Sequence, residues 1–254
     1  MLSDEQLKEF GERGFLVIPG VVAPDVIRRA SQRIDKLIDA DPPAEGHVGN
    51  HFFFLKAADE PDLIAPLTAR PADGPSGFDV AGELTAPGVL AEPWQVQVAL
   101  NIPPFSHRPG RPHIDAGNAE PDPGSVPSTF TLLAGVFVTD QMNEDSGNLW
   151  VWPGTHRTHA EYFQRRGVEM FCAYPDIELP EPEQVKAHAG DLLLAHYLLG
   201  HNIGGNFASR TVRRMLYYRV SSPGHAARPE RILTEPWYEY DALRALIQTS
   251  ALDL

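Results

Sequence analysis

The sequence predicts a mainly β protein of the α+β type, a barrel or jelly roll with helices at both ends of the chain. Three observations lead to this prediction. From residue 94 onward, short runs of strand-forming residues occur at irregular spacing. Turn sequences such as those at 145–147 and 153–154 separate these runs, and long connections rich in proline and glycine join them. Apolar residues at helical spacing occur near the two termini instead.

The N-terminal part is predicted to form a helix, a strand and a second helix. Ser3 can cap the first helix, and Gln6 three residues later completes the pattern of a capping box. Residues 15–18, Phe-Leu-Val-Ile, read as a buried strand. Pro24 suits the first turn of the second helix, whose apolar residues recur at helical spacing until the chain reaches Asp41.

The rest of the chain is predicted to supply the strands of the core and a short closing helix. Residues 42–93 are broken by proline and glycine and contain one aromatic run at 51–55. The β-like runs are residues 94–102, 129–138, 148–152, 191–199 and 213–220. A short helix follows from Asp241. Because no internal repeat or linker is visible, residues 1–254 are expected to form a single domain.

Composition narrows the classes of function. The formal net charge of −13 argues against binding to nucleic acid and to anionic membrane surfaces. The single cysteine, Cys172, excludes an internal disulfide and a cysteine-rich zinc module. No N-terminal secretion signal and no apolar run of about 18 residues is visible, so we expect a cytoplasmic protein.

His113-Ile114-Asp115 is the first candidate for a metal site. Alternation along a strand edge would send His113 and Asp115 to one face. Long connections at 103–112 and 117–128 surround the pair, and such loops commonly act as lids or binding loops. A chain with ten histidines is also expected to contain such a pair by chance, and residues 159–161, His-Ala-Glu, form a second one. The pair therefore needs a third ligand.

Two histidines could supply that third ligand. His196 and His201 both lie in the segment 190–206, and because they are five residues apart, they face opposite sides of an uninterrupted strand. Periodicity does not decide between them. Two histidines and one carboxylate form a facial triad, which leaves three positions of an octahedral ion open and suits non-haem Fe(II). A closed structural zinc site would need four protein ligands.

An arginine after this segment could bind a dicarboxylate. Arg210, Arg213 and Arg214 all precede or begin the β-like run at 213–220. A buried guanidinium pairs with a carboxylate through two parallel hydrogen bonds, which makes it a suitable partner for a co-substrate with two carboxylates. A solvated basic strand edge is the alternative for each of the three.

In their order and spacing, these segments resemble the phytanoyl-CoA dioxygenase-like family of Fe(II)/2-oxoglutarate dioxygenases. Residues 10–35 are similar to the N-terminal strand and helix of the family, and residues 94–103 are similar to a core strand that precedes the His-x-Asp pair. Residues 140–157, DQMNEDSGNLWVWPGTHR, resemble the family segment that ends in Pro-Gly-Ser/Thr-His. Residues 190–219 resemble the distal-histidine strand, its turn and the arginine strand.

The resemblance implies a double-stranded β-helix (jelly roll, cupin-like) core flanked by N-terminal and C-terminal helices. It also implies that His113, Asp115 and His201 are the metal ligands and the catalytic centre. His196 is then a packing or supporting residue, and the pair at 159–161 lies outside the site. Because Asp115 is present, where halogenases of the family have a small residue, the resemblance favours hydroxylation.

The resemblance further implies a site for 2-oxoglutarate. The family arginine usually follows the distal histidine by eleven residues, whereas Arg213 follows His201 by twelve, so the turn is one residue longer here. Arg213 is favoured as the residue that binds the distal carboxylate, and Arg214 is the alternative. Gln97 resembles a position that hydrogen-bonds the co-substrate, with Gln95 as its competitor.

The implied activity is hydroxylation of an unactivated C–H bond with Fe(II), 2-oxoglutarate and O2, releasing succinate and CO2. The expected substrate is a small metabolite or a natural-product intermediate. Aromatic residues at 52–54, 94, 150 and 152 could line its pocket, although such residues more often belong to the core. The alternatives are a non-catalytic jelly-roll domain that binds a metal or ligand, and a cupin-type metalloenzyme that does not use 2-oxoglutarate.

Overall fold

The computed structural model describes residues 1–115 and 129–250 of the protein. These residues form seven α-helices, nine β-strands and three short 3-10 turns. The helices are α1 Asp4–Arg13, α2 Pro24–Ala40, α3 Pro61–Thr68, α4 Gly77–Thr85, α5 Thr155–Arg166, α6 Pro229–Thr234 and α7 Asp241–Ser250. The strands are β1 Phe15–Ile18, β2 Gly49–Lys56, β3 Gln95–Ile102, β4 Leu132–Phe137, β5 Leu149–Trp152, β6 Glu183–Gln184, β7 Leu192–His196, β8 Gly200–Ile203 and β9 Arg213–Val220.

The strands form two antiparallel sheets. The larger sheet has six strands in the order β1-β7-β4-β9-β3-β2, and the smaller has three in the order β6-β5-β8. A cavity of about 270 Å³ is lined by residues of both sheets, which therefore face each other. Two facing antiparallel sheets with crossed strand order and flanking helices confirm the predicted jelly-roll core.

Strand β9 shows how the larger sheet separates cavity from core. Its residues Arg213, Tyr217 and Arg219 lie on the face that looks toward the smaller sheet. Arg214 and Tyr218 lie on the opposite face and hydrogen-bond to helices α2 and α3. Alternation along a strand therefore decides which side chains of β9 can reach a ligand in the cavity.

The predicted N-terminal elements are present. Ser3 and Gln6 form the capping box of α1, and Gly14 ends the helix with a positive φ of 82°. A Cβ atom at position 14 would collide with the ring of His156, so glycine is required there for space as well as for conformation. Helix α2 buries its apolar stripe, including Ile34, against the core.

Several elements differ from the sequence prediction. The aromatic run at 51–55 belongs to a full strand, β2, at the edge of the larger sheet. Helices α3 and α4 lie in the segment expected to be irregular, and α4 begins with a capping box between Ser76 and Asp79. The run 191–199 is not one strand, because β7 ends at His196 and a short turn precedes β8.

No described helix is both long and apolar enough to cross a membrane. The expected cytoplasmic location stays a prediction. The connection at 117–128, expected to be a lid or binding loop, lies outside the described residues.

Candidate metal centre and active site

His113 and His201 lie directly opposite each other at the edge of the smaller sheet. They form an isolated antiparallel bridge, with the His113 N–H donating to the His201 carbonyl at 2.9 Å and the His201 N–H donating to the His113 carbonyl at 3.1 Å. Their imidazole rings lie 4.4 Å apart, centroid to centroid. The backbone pairing therefore brings together two histidines that are far apart in the sequence.

Asp115 completes a group of three potential ligands. One ligand atom from each of His113, Asp115 and His201 lies within 4.8 Å of the other two. The Oδ1 atom of Asp115 is 3.2 Å from Nε2 of His113 and 3.6 Å from Nε2 of His201. Adjacent ligand atoms around an ion at about 2.1 Å stand about 3 Å apart, so these three atoms need only small movements to share a cation.

The electrostatics of the group suit a cation. Burial alone would raise the pKa of Asp115, but its contacts with the two imidazoles and the charge of Arg219 outweigh burial and hold that pKa well below its usual range. Burial opposes protonation of His201, but Asp115 raises its pKa. The Nδ1 atom of His201 lies 2.9 Å from the Leu199 carbonyl, to which it donates in the neutral tautomer. This hydrogen bond leaves Nε2 as the free ligand atom.

The group is open on one side. The His113 side chain is 52% exposed, whereas those of Asp115 and His201 are 14% and 11% exposed. All three line the cavity between the sheets, together with Gln97 and Arg219 among others. A cation held here would have protein ligands on one side and the cavity on the other.

Arg213 is a buried cation on the cavity face of β9. It is 1% exposed, and its Nη2 donates to the Tyr217 hydroxyl at 2.8 Å. Its remaining polar contacts, with Gln141 Oε1 and the Ala99 carbonyl, are long at 3.4 Å, and no described carboxylate pairs with it. Because an unpaired buried charge is costly, this guanidinium is suited to receive an anion.

The structure separates Arg213 from its two competitors. Arg214 was the alternative for binding the co-substrate, but it lies on the opposite face of β9, where it contacts Ser31 and pairs with Asp35 at 2.7 Å. Arg214 therefore points away from the cavity. Arg210 lies exposed in the turn before β9. Of the three arginines, only Arg213 lies on the face of the cavity.

Gln97 lines the cavity beside the three potential ligands, and its Oε1 accepts a hydrogen bond from Arg219 at 2.9 Å. Gln95 lies on the same strand face but lines a different cavity. Among the aromatic candidates, Phe52 lines the cavity between the sheets, whereas Phe53 is part of the core.

Sequence reasoning did not identify Arg219. Its Nε and Nη2 atoms donate to Oδ2 of Asp115 at 3.1 and 2.5 Å, and the residue lies in the wall of the cavity. A signal was available, because Arg219 is six residues after Arg213 and an even separation places both on one strand face.

The remaining histidines that competed for the site lie elsewhere. His196 is buried, and its Nε2 lies 2.8 Å from the Pro236 carbonyl. His159 is also buried, with its two ring nitrogens on the Leu198 carbonyl and the Tyr174 hydroxyl. Glu161 points to solvent from the same helix. The second His-x-carboxylate pair therefore does not form a site.

Comparison with known proteins assigns the family. A sequence model of the phytanoyl-CoA dioxygenase (PhyH) family matches residues 10–215, which include all three residues of the group. The chain belongs to this family. Membership confirms the resemblance expected from the sequence and classifies the protein as a dioxygenase-type oxidoreductase. No curated protein matches the sequence at a significant level.

Several solved structures have a fold similar to that of this chain. The 2-oxoglutarate-dependent epimerase SnoN of nogalamycin biosynthesis is 20% identical with a TM-score of 0.60, over 86% of this chain and 80% of that one. AviO1 from Streptomyces viridochromogenes Tue57 is 17% identical with a TM-score of 0.58, over 89% and 97%. HygX from Streptomyces hygroscopicus, solved with nickel and 2-oxoglutarate, is 18% identical with a TM-score of 0.56, over 87% and 88%. At these identities the likeness supports the fold.

Proposed function

We propose that the protein is a non-haem Fe(II)/2-oxoglutarate-dependent dioxygenase that hydroxylates an unactivated C–H bond of a small molecule. The observation that carries this proposal is the open group of His113, Asp115 and His201 at the wall of the cavity. Two imidazoles and one carboxylate on one side of a cation, with the other side free, are the donor set of non-haem Fe(II) oxygenases.

The residues present fit an Fe(II) ion. His113 and His201 would each bind through Nε2 and Asp115 through Oδ1, because these are the atoms that the structure turns toward one another. A closed structural zinc site would require a fourth protein ligand, and the described residues of the group include none.

The residues present also fit a dicarboxylate co-substrate. Arg213 would receive the distal carboxylate of 2-oxoglutarate, since it is buried without an anionic partner among the described residues. The amide nitrogen of Gln141, beside Arg213, is buried and has no hydrogen-bond acceptor among them either. An arriving carboxylate would satisfy both groups at once.

The bound metal and co-substrate would supply the oxidation itself, in which R–H, O2 and 2-oxoglutarate give R–OH, succinate and CO2. The residues of this chain would bind and orient the reactants. Arg213 and Tyr217 would fix one end of the co-substrate, and the ligand group would fix the metal. Apolar residues in the cavity wall, among them Phe52 and Leu133, would limit the access of water.

The substrate is proposed to be a small metabolite or a natural-product intermediate. HygX has been solved with hygromycin B, and SnoN with nogalamycin RO. The net charge of −13 disfavours a phosphate-rich CoA thioester. Because the similar solved structures include an epimerase and a carbocyclase, hydroxylation is the finer part of this proposal and is tested by analysis of the product.

The first experiment measures 2-oxoglutarate consumption and succinate formation by the purified protein with Fe(II), ascorbate and O2. We expect slow turnover without substrate in the wild type and none in Asp115→Ala. Glu161→Ala, which removes the carboxylate of the second His-x-carboxylate pair, is the matched control and should equal the wild type. A protein that binds metal but never consumes 2-oxoglutarate would instead support a cupin-type enzyme or a binding domain.

A further inference from the structure

We propose that Arg219 is a positioning residue that keeps Asp115 bound to the metal through a single oxygen and turns the amide nitrogen of Gln97 toward the co-substrate. This inference rests on the proposed function and deepens it. It concerns a residue for which neither the sequence motifs nor the family spacing predicted a role.

The two oxygens of Asp115 have different partners. Oδ1 lies among the imidazoles, 3.2 Å from His113 Nε2 and 3.6 Å from His201 Nε2. Oδ2 accepts two hydrogen bonds from Arg219, one from Nε at 3.1 Å and one from Nη2 at 2.5 Å. One oxygen thus remains for a cation, while the other is held by a guanidinium.

This division has a consequence for the metal. A carboxylate with two free oxygens can bind a cation through both of them and occupy a fourth position. The proposed reaction needs three open positions, two for the co-substrate and one for O2. Because Arg219 holds Oδ2 through two hydrogen bonds and carries a positive charge, it disfavours binding of that oxygen to a cation.

The same guanidinium also fixes Gln97. Its Nη1 donates to Oε1 of Gln97 at 2.9 Å. An arginine only donates, so the oxygen of the Gln97 amide must face Arg219 and its NH2 group must face away. Gln97 lines the cavity, and its nitrogen is therefore available as a donor to an anionic oxygen of the co-substrate.

Arg219 is itself well placed to act in this way. It lies on the cavity face of β9, and its Cζ lies 5.7 Å from the centre of the Phe130 ring. Its guanidinium uses Nε, Nη1 and Nη2 for Asp115 and Gln97. A lysine could not reproduce this planar arrangement of donors.

The test compares Arg219→Gln and Arg219→Lys with the wild type. Two affinities are measured by calorimetry: that of Ni(II) for the metal-free protein, and that of 2-oxoglutarate for the Ni(II)-loaded protein. We expect 2-oxoglutarate to bind at least about tenfold more weakly to both variants, because the hydrogen bond from Gln97 to an anionic oxygen is lost. Ni(II) should bind Arg219→Gln as tightly as the wild type or more tightly, because a nearby positive charge is gone and Asp115 gains a free oxygen.

A fall in 2-oxoglutarate affinity without a fall in Ni(II) affinity separates a positioning role from general damage. Arg214→Gln, on the other face of β9, is the matched control and should change neither affinity. The proposal is overturned if 2-oxoglutarate affinity in Arg219→Gln stays within about twofold of the wild type, or if both affinities fall together with the melting temperature. Full recovery in Arg219→Lys would also overturn it, because charge alone would then suffice.

A second measurement isolates Gln97. Gln97→Ala should weaken 2-oxoglutarate binding in the wild-type background but add little in Arg219→Gln, where the amide is no longer oriented. Additive losses would contradict this half of the proposal. If the wild type itself binds no 2-oxoglutarate, the proposed function fails; if it binds and the Arg219 variants bind equally well, only the present inference fails.

Discussion

Two groups of histidines in this protein have opposite properties. The open cluster consists of His113, Asp115 and His201 at the cavity. The closed cluster consists of His156 and His159 on helix α5 and His196 at the end of β7. All members of the closed cluster are buried, as is His201, so burial does not distinguish the two. The difference lies in the partners of the imidazoles.

In the closed cluster each imidazole contacts a main-chain carbonyl oxygen, at 2.6 to 3.1 Å. Burial lowers the pKa of His159 to about 4 and that of His196 to about 3, and it holds the pKa of His156 well below its usual range. In the open cluster Asp115 overcomes the effect of burial and raises the pKa of His201. In the closed cluster burial therefore keeps the imidazoles neutral despite their carbonyl contacts, which by themselves raise the pKa. In the open cluster the negative charge of Asp115 favours a positive charge beside His201.

The largest expected effect is the loss of metal from the open cluster alone. His201→Ala should weaken Ni(II) binding about a thousandfold, because it removes one of three ligands. Each tenfold change in the dissociation constant corresponds to about 1.4 kcal/mol of binding free energy. His196→Gln, five residues earlier, should leave the affinity of the folded protein unchanged. Calorimetric titration with Ni(II) measures both. Equal losses in the two variants would show that the clusters are not functionally distinct.

Two arginines of β9 differ in a similar way, because Arg213 has no carboxylate partner among the described residues and Arg214 pairs with Asp35. Arg213→Gln should raise the KM for 2-oxoglutarate about 30-fold or more, because losing one partner of a buried charge pair costs about 2–5 kcal/mol. The affinity of the Arg213→Gln variant for Ni(II) should not change. Arg214→Gln should leave both unchanged, since its partners are Ser31 and Asp35 on the far face. A larger effect at Arg214 would reverse our assignment of the two faces.

Residue spacing predicts part of the open cluster, whereas the third ligand, His201, follows only from the resemblance to the family. The His-x-Asp spacing predicts two side chains on one face, and this holds for His113 and Asp115. The choice between His196 and His201 depended on where the strand breaks. That break is made by residues 197–199, Tyr-Leu-Leu, which are buried and carry no turn signal before Gly200.

The choice between Arg213 and Arg214 was open for a similar reason. Counting along a chain assigns strand faces only when the length of the preceding turn is known, and this turn is one residue longer than the family spacing. The pairing of β9 with β3 determines the face of each residue, because Arg213 lies opposite Asn101 and Tyr217 lies opposite the cavity residue Gln97.

Helices α3 and α4 were missed because their sequences contain proline and glycine, which weaken the helical pattern.

A smaller effect is expected on stability when the closed cluster loses a member. His196→Ala removes a buried ring that contacts Tyr197 and Tyr240 and breaks the hydrogen bond to the Pro236 carbonyl. We expect the free energy of unfolding to fall by about 2–4 kcal/mol. Urea denaturation measures this. His113→Ala, at an exposed ring, is the control and should cost less than about 1 kcal/mol; a larger loss there would mean that the open cluster also supports the fold.

The smallest expected effect is a change in the response to acid. Because burial lowers the pKa of His159 from 6.5 to about 4, the unfolded chain takes up a proton below about pH 6.5 that the folded protein excludes until about pH 4. Stability is therefore complete above this range and falls as the pH drops through it. His159→Gln should flatten the decline by up to about 1.4 kcal/mol per pH unit. Equal slopes of unfolding free energy against pH in the wild type and His159→Gln would mean that His159 takes up its proton in the folded state as readily as in the unfolded chain. The closed cluster would then accept a positive charge, as the open cluster is expected to do.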